Sequence, residues 1–415
     1  MRPILVGELC AGRDDVPDVG VVGEAGKRWL TLCARGYVHA PPSLVSARDV
    51  RDYHRVAISG AAGIRRRVAE PARLMRVLLH EEGISVRGAT QATLDYATAL
   101  AARGHEVLMT YPESGWGCDA DMLAMLSRSI DIRSYSSLRE LEALGVERDA
   151  VYWIRQGSRG VLIPHVRNVV HVVFQVYDPH GDYYGYISPW LAGRMRQRFR
   201  SPDGQLRGWG PRGFRARRAG CETAFDFPHI PHICEMPAPQ ETLRSQYGIP
   251  DDAFLICRYG GFDTFDIPWV QSAVEHIVES QPDAYFLGVN TMPFANHPRV
   301  IFAPPVFDRQ AKSNLLASAD LFLHGRASGE SFGLAIVEAL QLGLPVLAWS
   351  GGWDRNHVAL LGNSDMLYSS REDLLARVVR FRAEEGVPDS AMLQRLGNEF
   401  RAPAIIPHLE RVLAG

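Results

Sequence analysis

Two glutamates stand eight residues apart in the segment GESFGLAIVEAL, at Glu330 and Glu338. Between them, Gly333 precedes an apolar run that predicts a largely buried helix. The first N–H groups of a helix lack partners within it and carry partial positive charge, so Gly333 and Leu334 are candidate anion ligands. The alternative is a purely structural role, in which Glu330 caps the helix and Glu338 lies on a solvated face. Because a buried carboxylate without partners is costly, we expect both glutamates to bind the hydroxyl groups of a ligand whose phosphate meets the helix amides.

Arginine supplies nearly all the positive charge that an anionic ligand would meet. Of the 45 basic residues, all but Lys27 and Lys312 are arginine. Arg258 stands near the end of a predicted strand, and Arg326 stands four residues before Glu330. A planar guanidinium binds phosphate through two parallel hydrogen bonds, so these two residues are candidate phosphate ligands.

The elements that must position these residues form two series of alternating strands and helices. The first series opens abruptly with MRVLLHEEG at Met75 and includes a helix at residues 90–102. Its other predicted strands lie in ARGHEVLMTYP, AVYWIR, NVVHVVFQV and YYGYIS, and the last leads into a helix at PWLAGRM. Strands that alternate with helices predict a parallel sheet with crossover connections.

The second series follows a polar stretch at residues 199–227, interpreted as a long loop, and the proline-rich linker FPHIPHICEMPAP. Its predicted strands are AFLICRYGG, AYFLGVN, RVIFAPP, DLFLHG and PVLAWS, and its predicted helices are VQSAVEHIVES, RQAKSNLLASA and GLAIVEALQLG. We therefore predict an α/β protein with two doubly wound, Rossmann-like domains that face each other across a cleft. Ligands bind beyond the carboxyl ends of strands in such sheets, which is where GESF lies.

The expected boundaries are an extension at residues 1–74, a first domain at 75–235 and a second at 236–415. The last helix is expected to pack back on the first domain. The extension is rich in Arg, Ala, Gly and Val without clear periodicity, so we expect poor order there. A small accessory domain is the alternative.

Composition excludes several classes of function. The net charge of −2 does not indicate nucleic acid or an anionic membrane as a partner. The six cysteines show no spacing typical of a metal site or a disulfide framework, which fits a reducing cytoplasm. No stretch of eighteen apolar residues predicts a membrane span, and EEGISVRGAT lacks the glycine pattern of a dinucleotide oxidoreductase.

The segment GESFGLAIVEALQLGLPVLAW resembles the nucleotide-sugar signature of retaining glycosyltransferases with the GT-B fold, in the group called glycosyltransferase family 4-like or glycosyl transferases group 1. The signature is a glutamate, seven residues, a second glutamate and a Gly-x-Pro-Val turn. The resemblance extends with varying strength over most of residues 75–405. It implies that Glu330 contacts the donor sugar and its developing positive charge, and that Glu338 binds the ribose hydroxyls.

The resemblance also implies roles for residues of both domains. GISVRGATQA matches the family's opening loop, where Gly88 lets the backbone approach the donor phosphate or the acceptor, with an ordinary turn as the alternative. NVVHVVFQV matches a strand whose histidine, here His171, lies near the transferred sugar, although a lone histidine among apolar residues is more often a core residue. In SGGWDRNH, Trp353 is a candidate to stack on the nucleotide base and Asn356 or His357 to hydrogen-bond to it, with simple loop packing as the alternative for each.

In the second domain, ICRYGGFDTFDI corresponds to a stretch whose arginine and lysine clamp the diphosphate. Arg258 takes the place of the arginine, beside Gly260 and Gly261. The lysine position is lost, and Arg326 is placed to supply the missing charge. This departure leaves the donor's identity open, but not the use of a diphosphate.

The predicted function is transfer of a sugar from a nucleotide diphosphate sugar to an acceptor hydroxyl with retention of configuration. The donor is a substrate, and the resemblance implies neither a cofactor nor a metal. Glycan, lipid-linked, protein and modified-base acceptors all remain open. The alternatives are an epimerase with the same fold and a non-catalytic nucleotide-sugar binding protein.

Overall fold

The computed structural model describes residues 73–114, 117–199, 220–362, 364–384 and 387–415. The extension predicted at residues 1–74 lies outside the described residues, apart from Arg73 and Leu74. Most of the long loop predicted at 199–227 also lies outside them. The remaining chain contains two six-stranded sheets, one in each half, and a separate pair of short strands.

The first sheet has the strand order β3-β2-β1-β4-β5-β6, and every neighbouring pair is parallel. This is the order of a doubly wound dinucleotide-binding fold. The central strand β4 is buried at all of its positions. The strands are β1 (Arg76–His80), β2 (Glu106–Pro112), β3 (Asp131–Tyr135), β4 (Ala150–Arg155), β5 (Arg167–Val172) and β6 (Tyr183–Tyr186).

In the described residues of this half, four helices connect or follow these strands. Two of the shorter ones begin with a side-chain cap, because Asp119 accepts from Met122 N and Ser137 accepts from Glu140 N. The helices are α1 (Gly88–Ala102), α2 (Ala120–Leu126), α3 (Leu138–Gly145) and α4 (Pro189–Phe199).

The second sheet repeats the same plan with the order β14-β12-β10-β7-β8-β9, again parallel throughout. Its strands are β7 (Phe254–Tyr259), β8 (Ala284–Val289), β9 (Val300–Ala303), β10 (Leu321–His324), β12 (Val346–Trp349) and β14 (Leu367–Tyr368). Two further short strands, β11 (Gly329–Glu330) and β13 (Asp354–Arg355), pair with each other outside this sheet.

The helices of the second half complete the fold. They are α5 (Pro268–Ser280), α6 (Arg309–Ala317), α7 (Leu334–Gln341), α8 (Asn356–Leu361), α9 (Arg371–Arg382), α10 (Ser390–Asn398) and α11 (Ala402–Ala414), with 3-10 turns at Ser245–Tyr247 and Ser364–Met366. The predicted α/β fold with two doubly wound sheets is confirmed.

The last helix, α11, packs on the first half of the molecule, against α1 and against strands β4 and β5. Its buried residues Ile405, Ile406 and Leu409 join a core cluster with β1 and α1. Glu410 adds polar contacts, because its Oε1 accepts from Arg103 Nε and lies 3.0 Å from His105 Nε2.

Candidate active site

The loop that leaves β10 carries Glu330 to the carboxyl end of the second sheet. Glu330 lies on β11, which runs beside β13 with Gly329 opposite Asp354. Gly329 has a φ of 73°, and a Cβ there would collide with the carbonyl oxygen of Asp354. Glycine is therefore required for the two short strands to approach each other.

The Glu330 carboxylate is held in a positively charged setting. Arg326 Nη1 donates to Oε2 at 3.1 Å, and His324 Nε2 lies 3.4 Å from Oε1. Burial alone would raise the pKa of Glu330, but the neighbouring His324 side chain and the charge of Arg326 outweigh it and lower the pKa to about 2. The Glu330 side chain is 22% exposed, so its ionised carboxylate is partly accessible from solvent.

His357 and Asn356 form hydrogen bonds to the loop that carries Glu330. His357 Nδ1 accepts from Glu330 N at 3.3 Å, while its Nε2 donates to Trp349 O at 2.7 Å. Burial lowers the pKa of His357 to about 3, so this ring is neutral and acts as an orienting group. Asn356 Nδ2 donates to Phe332 O at 2.6 Å.

These contacts favour the alternative of loop packing for Asn356 and His357, and contact with a nucleotide base stays a prediction. Both side chains are fully buried and bind the loop that carries Glu330. Trp353, by contrast, is 68% exposed.

Helix α7 begins immediately after this loop. Gly333 is its N-cap residue and has a φ of 93°, which favours glycine. The carbonyl of Gly333 accepts from Ile336 N and Val337 N, both at 3.1 Å. Among the described residues, no acceptor is found for the amides of Leu334 and Ala335. The helix thus presents two free donors beside Glu330.

Gly88 brings the first half of the molecule to the same place. It is the first residue of α1, and a Cβ added there would lie 3.8 Å from Leu334 Cδ2. The structure therefore brings Gly88, Gly333, Leu334 and Glu330 together.

Glu338 lies one turn into α7 and is buried together with a lysine. Lys312 Nζ donates to Glu338 Oε1 at 2.8 Å, and the two side chains are 4% and 5% exposed. Burial by itself lowers the pKa of Lys312, but the charge of Glu338 outweighs it and raises the pKa. The ammonium also sits 4.7 Å from the centre of the Tyr259 ring. Sequence reasoning missed Lys312, because it lies on α6 and far from the segment in which the lysine was sought.

Arg258 has a different environment from the one expected. It is 4% exposed, and its guanidinium donates to Asn290 O, Thr291 Oγ1, Gly261 O and Thr264 Oγ1 at 2.6–2.9 Å. Gly260 leaves room for it, since a Cβ there would lie 2.9 Å from Arg258 Nη2. Four of its five N–H donors hold the loops after β7 and β8, and the diphosphate contact expected of Arg258 stays a prediction.

His171 is a core residue. It is fully buried on β5, where its Nδ1 pairs with the Tyr152 hydroxyl and its Nε2 donates to Ile230 O at 2.8 Å. Burial lowers its pKa to about 4. Both ring nitrogens have partners inside the protein, which favours the alternative of a core residue, and contact between His171 and the transferred sugar stays a prediction.

Several polar residues at the carboxyl edge of the first sheet were also missed. His80 ends β1, and its Nε2 lies 2.8 Å from the Tyr135 hydroxyl. Arg155 ends β4 and stacks 4.1 Å from the Trp153 ring. Glu81 is buried, and burial raises its pKa to about 8. The available signal was the polar triplet His80, Glu81 and Glu82 directly after a buried strand.

The described part of the chain contains no group of three or more His, Cys, Asp or Glu residues placed to hold a metal ion. The sequence Asp119-Ala120-Asp121 has the form of an Asp-x-Asp motif, but Asp119 Oδ1 caps α2 by accepting from Met122 N at 2.9 Å. None of the described helices combines the length and the hydropathy that a membrane span needs.

Comparisons with known proteins place these features in context. Residues 296–358 match the family profile described as glycosyl transferases group 1. This range contains Lys312, Arg326, Glu330, Glu338 and His357. No curated protein sequence matches the chain.

Solved structures resemble the chain over most of its length. HepE from Anabaena, in complex with UDP and glucose, is 16% identical with a TM-score of 0.56 over 82% of this chain and 100% of its own. A glycosyltransferase from Rickettsia africae is 14% identical with a TM-score of 0.56 over 82% and 98%. Sucrose-phosphate synthase from Thermosynechococcus elongatus is 15% identical with a TM-score of 0.53 over 81% and 98%.

At this identity the structural likeness shows the fold, which is the GT-B architecture of two facing parallel sheets. The family match adds a glycosyl transferases group 1 domain over the part of the chain that carries Glu330 and Glu338. Together they support a glycosyltransferase.

Proposed function

We propose that this chain transfers a sugar from a nucleotide diphosphate sugar to an acceptor hydroxyl, with retention of the anomeric configuration. The observation that carries the proposal is the arrangement at the start of α7. An ionised Glu330 there lies beside Arg326 and the free amides of Leu334 and Ala335. A negative group for the sugar and positive groups for its diphosphate are thus adjacent.

The charges of these groups indicate what each would stabilise during the reaction. As the sugar–phosphate bond breaks, positive charge develops on the sugar ring and negative charge on the departing phosphate. Glu330 would stabilise the first, while Arg326 and the helix amides would stabilise the second. No enzyme nucleophile enters this proposal: the acceptor hydroxyl attacks the same face that the phosphate leaves and gives up its proton to that phosphate.

Glu338 and Lys312 extend the site towards the nucleotide. The carboxylate of Glu338 lies on the same helix as the proposed phosphate site, one turn further on. Its hydrogen bond from Lys312 holds it in one orientation, and we propose that it binds the ribose hydroxyls. A metal ion is not required, since arginine and helix amides neutralise the diphosphate in this scheme.

A donor screen tests the proposal. Purified full-length protein is incubated with a panel of UDP-, GDP- and ADP-sugars, and nucleotide release is measured. UDP-glucose is the first choice, because the structure of HepE was determined with UDP and glucose. We expect release from at least one donor, and Glu330→Gln should abolish most of it. If no donor of the panel releases its nucleotide and none of the nucleoside diphosphates binds, the proposal is refuted.

The anomeric outcome is tested separately. With a simple alcohol or monosaccharide acceptor, proton NMR of the first product distinguishes retention from inversion. An inverted product would leave glycosyl transfer standing but contradict the proposed front-face mechanism.

A further inference from the structure

Gln175, in the first half of the molecule, hydrogen-bonds to the second half beside Glu330. Its Nε2 donates to Trp353 O at 2.9 Å and to Asp354 Oδ1 at 2.8 Å. Gln175 follows β5, and Asp354 lies on β13. The contact therefore joins the carboxyl edge of the first sheet to the strand pair that carries Glu330.

The turn that presents Gln175 is firmly held. Val173 N donates to Arg155 O at 2.9 Å, which continues the pairing of β4 and β5 by one residue. On the other side, the hydroxyls of Tyr184 and Tyr186 donate to Val176 O at 3.2 and 3.0 Å. Because both flanks are fixed by buried side chains or by the sheet, Gln175 presents its amide from a defined position.

Asp354 is directly coupled to the strand of Glu330. It lies opposite Gly329 in the parallel pair, and its N donates to Ser328 O at 3.1 Å. Asp354 is 7% exposed, and its carboxylate interacts with the charges of Arg326 and Glu330. A shift of Asp354 would therefore move the backbone that supports Glu330.

A second contact from the first half reaches the other side of Glu330. Ser188 Oγ donates to Ser331 O at 2.7 Å, while it accepts from Leu191 N at the start of α4. Glu330 thus stands between two points at which the first half holds the second.

We infer that Gln175 is a positioning residue for Glu330 and acts through Asp354. Cleavage of the donor's sugar–phosphate bond then reaches its full rate only while Gln175, in the first half of the molecule, contacts Asp354 in the second half. The inference deepens the proposed glycosyl transfer and depends on it for the kinetic part of its test. The structural part of the test does not depend on it.

The test compares the full-length wild type with Gln175→Ala, Asp354→Ala and the double variant. Gln310→Ala is the matched control, because Gln310 Nε2 also donates to a backbone carbonyl and a side-chain oxygen, those of Ala238 and Asn314. The measurements are kcat and KM for nucleotide release, affinity for the nucleoside diphosphate, and hydrogen exchange of the Glu330 amide.

We expect Gln175→Ala to lower kcat about tenfold, the size of one hydrogen bond to a charged group, while KM and nucleoside diphosphate affinity stay near wild type. The Glu330 amide, bonded to His357 Nδ1, should exchange faster. The double variant should be only slightly slower than Asp354→Ala, since both changes remove the bond between Gln175 and Asp354 and the double variant loses in addition only the bond to Trp353 O. Gln310→Ala should match the wild type in every measurement.

Two results would overturn the inference. One is a Gln175→Ala variant with wild-type kcat and wild-type exchange at Glu330. The other is a variant in which kcat, nucleotide affinity and melting temperature fall together, as expected of a general structural defect. If the wild type turns over no donor, the proposed function is wrong, and exchange at Glu330 alone then decides whether Gln175 positions it.

Discussion

Lys312 and Glu338 form an ion pair with an Nζ–Oε1 distance of 2.8 Å and almost no exposed side-chain surface. They come from neighbouring helices, α6 and α7. A buried pair of this kind adds little net stability as a pair, but the loss of one partner leaves an uncompensated charge. Glu338 is therefore tied both to folding and to the proposed ribose contact.

The first prediction follows from that coupling. Glu338→Gln should reduce the free energy of unfolding by about 3 kcal/mol, because Lys312 is left buried without its counter-charge. Combining Lys312→Met with Glu338→Gln should recover much of this loss, as measured by urea denaturation. The single variant Glu338→Gln should also show a higher KM for the donor. If the double variant is as unstable as the sum of the single variants, the pair is not coupled.

The second prediction concerns Glu330. Glu330→Gln keeps the shape of the side chain but removes the negative charge beside the sugar. We expect kcat to fall on the order of a hundredfold with a smaller change in KM, because the lost interaction is strongest in the transition state. Unfolding should change little, since Glu330 and Arg326 form a partly exposed pair. Unchanged kcat together with early melting would instead identify Glu330 as a structural cap.

The third prediction separates the two arginines. Arg326→Ala should weaken binding of a nucleoside diphosphate more than binding of the nucleoside, with little effect on melting. Arg258→Ala should lower the melting temperature clearly, because it removes four hydrogen bonds that hold two loops. Calorimetric titration with the two ligands and thermal melting distinguish the roles. Equal loss of both ligands in Arg326→Ala would show that it too acts through folding.

The fourth prediction uses Glu81. Burial raises its pKa from 4.5 to about 8, and Thr93 Oγ1 donates to its Oε1. Between these pH values the folded state holds a proton that the unfolded state has released, so stability falls as the pH rises through this window. Glu81→Gln should remove this dependence and be more stable than the wild type above pH 8. Denaturant unfolding from pH 5 to pH 9 measures it, and parallel pH profiles of the two proteins would contradict it.

The fifth prediction is that the folded part of the chain does not require residues 1–72. Strand β1 starts at Arg76, and the sequence motifs of the proposed site all follow it. A chain beginning at Arg73 keeps the peptide N–H of Met75, which donates to His105 Nδ1 at 3.1 Å. Such a chain should melt cooperatively and bind the nucleoside diphosphate. Loss of cooperative melting would show that the first residues belong to the fold.

The pattern of buried strands was readable from the sequence because apolar runs such as AVYWIR are long and end at turn residues. Strand β3 was missed for the opposite reason. Its residues are exposed or half-buried, as befits an edge strand, so DIRSY has no apolar run. The short strands β11 and β13 are held by a local approach at Gly329, which leaves no periodic signal.

In the candidate site, too, the positions of some residues could be predicted from the sequence and those of others could not. Glu330 and Gly333 could be predicted, because their place after a strand and before a helix defines their surroundings. Lys312, Gln175 and Asp354 depend on contacts between segments 26 or more residues apart, which spacing in the sequence does not reveal. For His171 the sequence left a sugar contact and a core residue open, and only the contacts with Tyr152 and Ile230 O favour the core residue.

Helix α11 has a consequence for how the chain folds during synthesis. The first sheet is complete in sequence by Tyr186, yet part of its apolar surface is covered by residues Ala402–Ala414, more than two hundred positions later. Domains usually fold as units as they emerge from the ribosome, N-terminal first. Here the earlier half cannot complete its core until α11 has been synthesised, because Ile405, Ile406 and Leu409 pack against β1 and α1. A ribosome that stalls within the second half would therefore expose an uncovered sheet face, a natural recognition signal for chaperones.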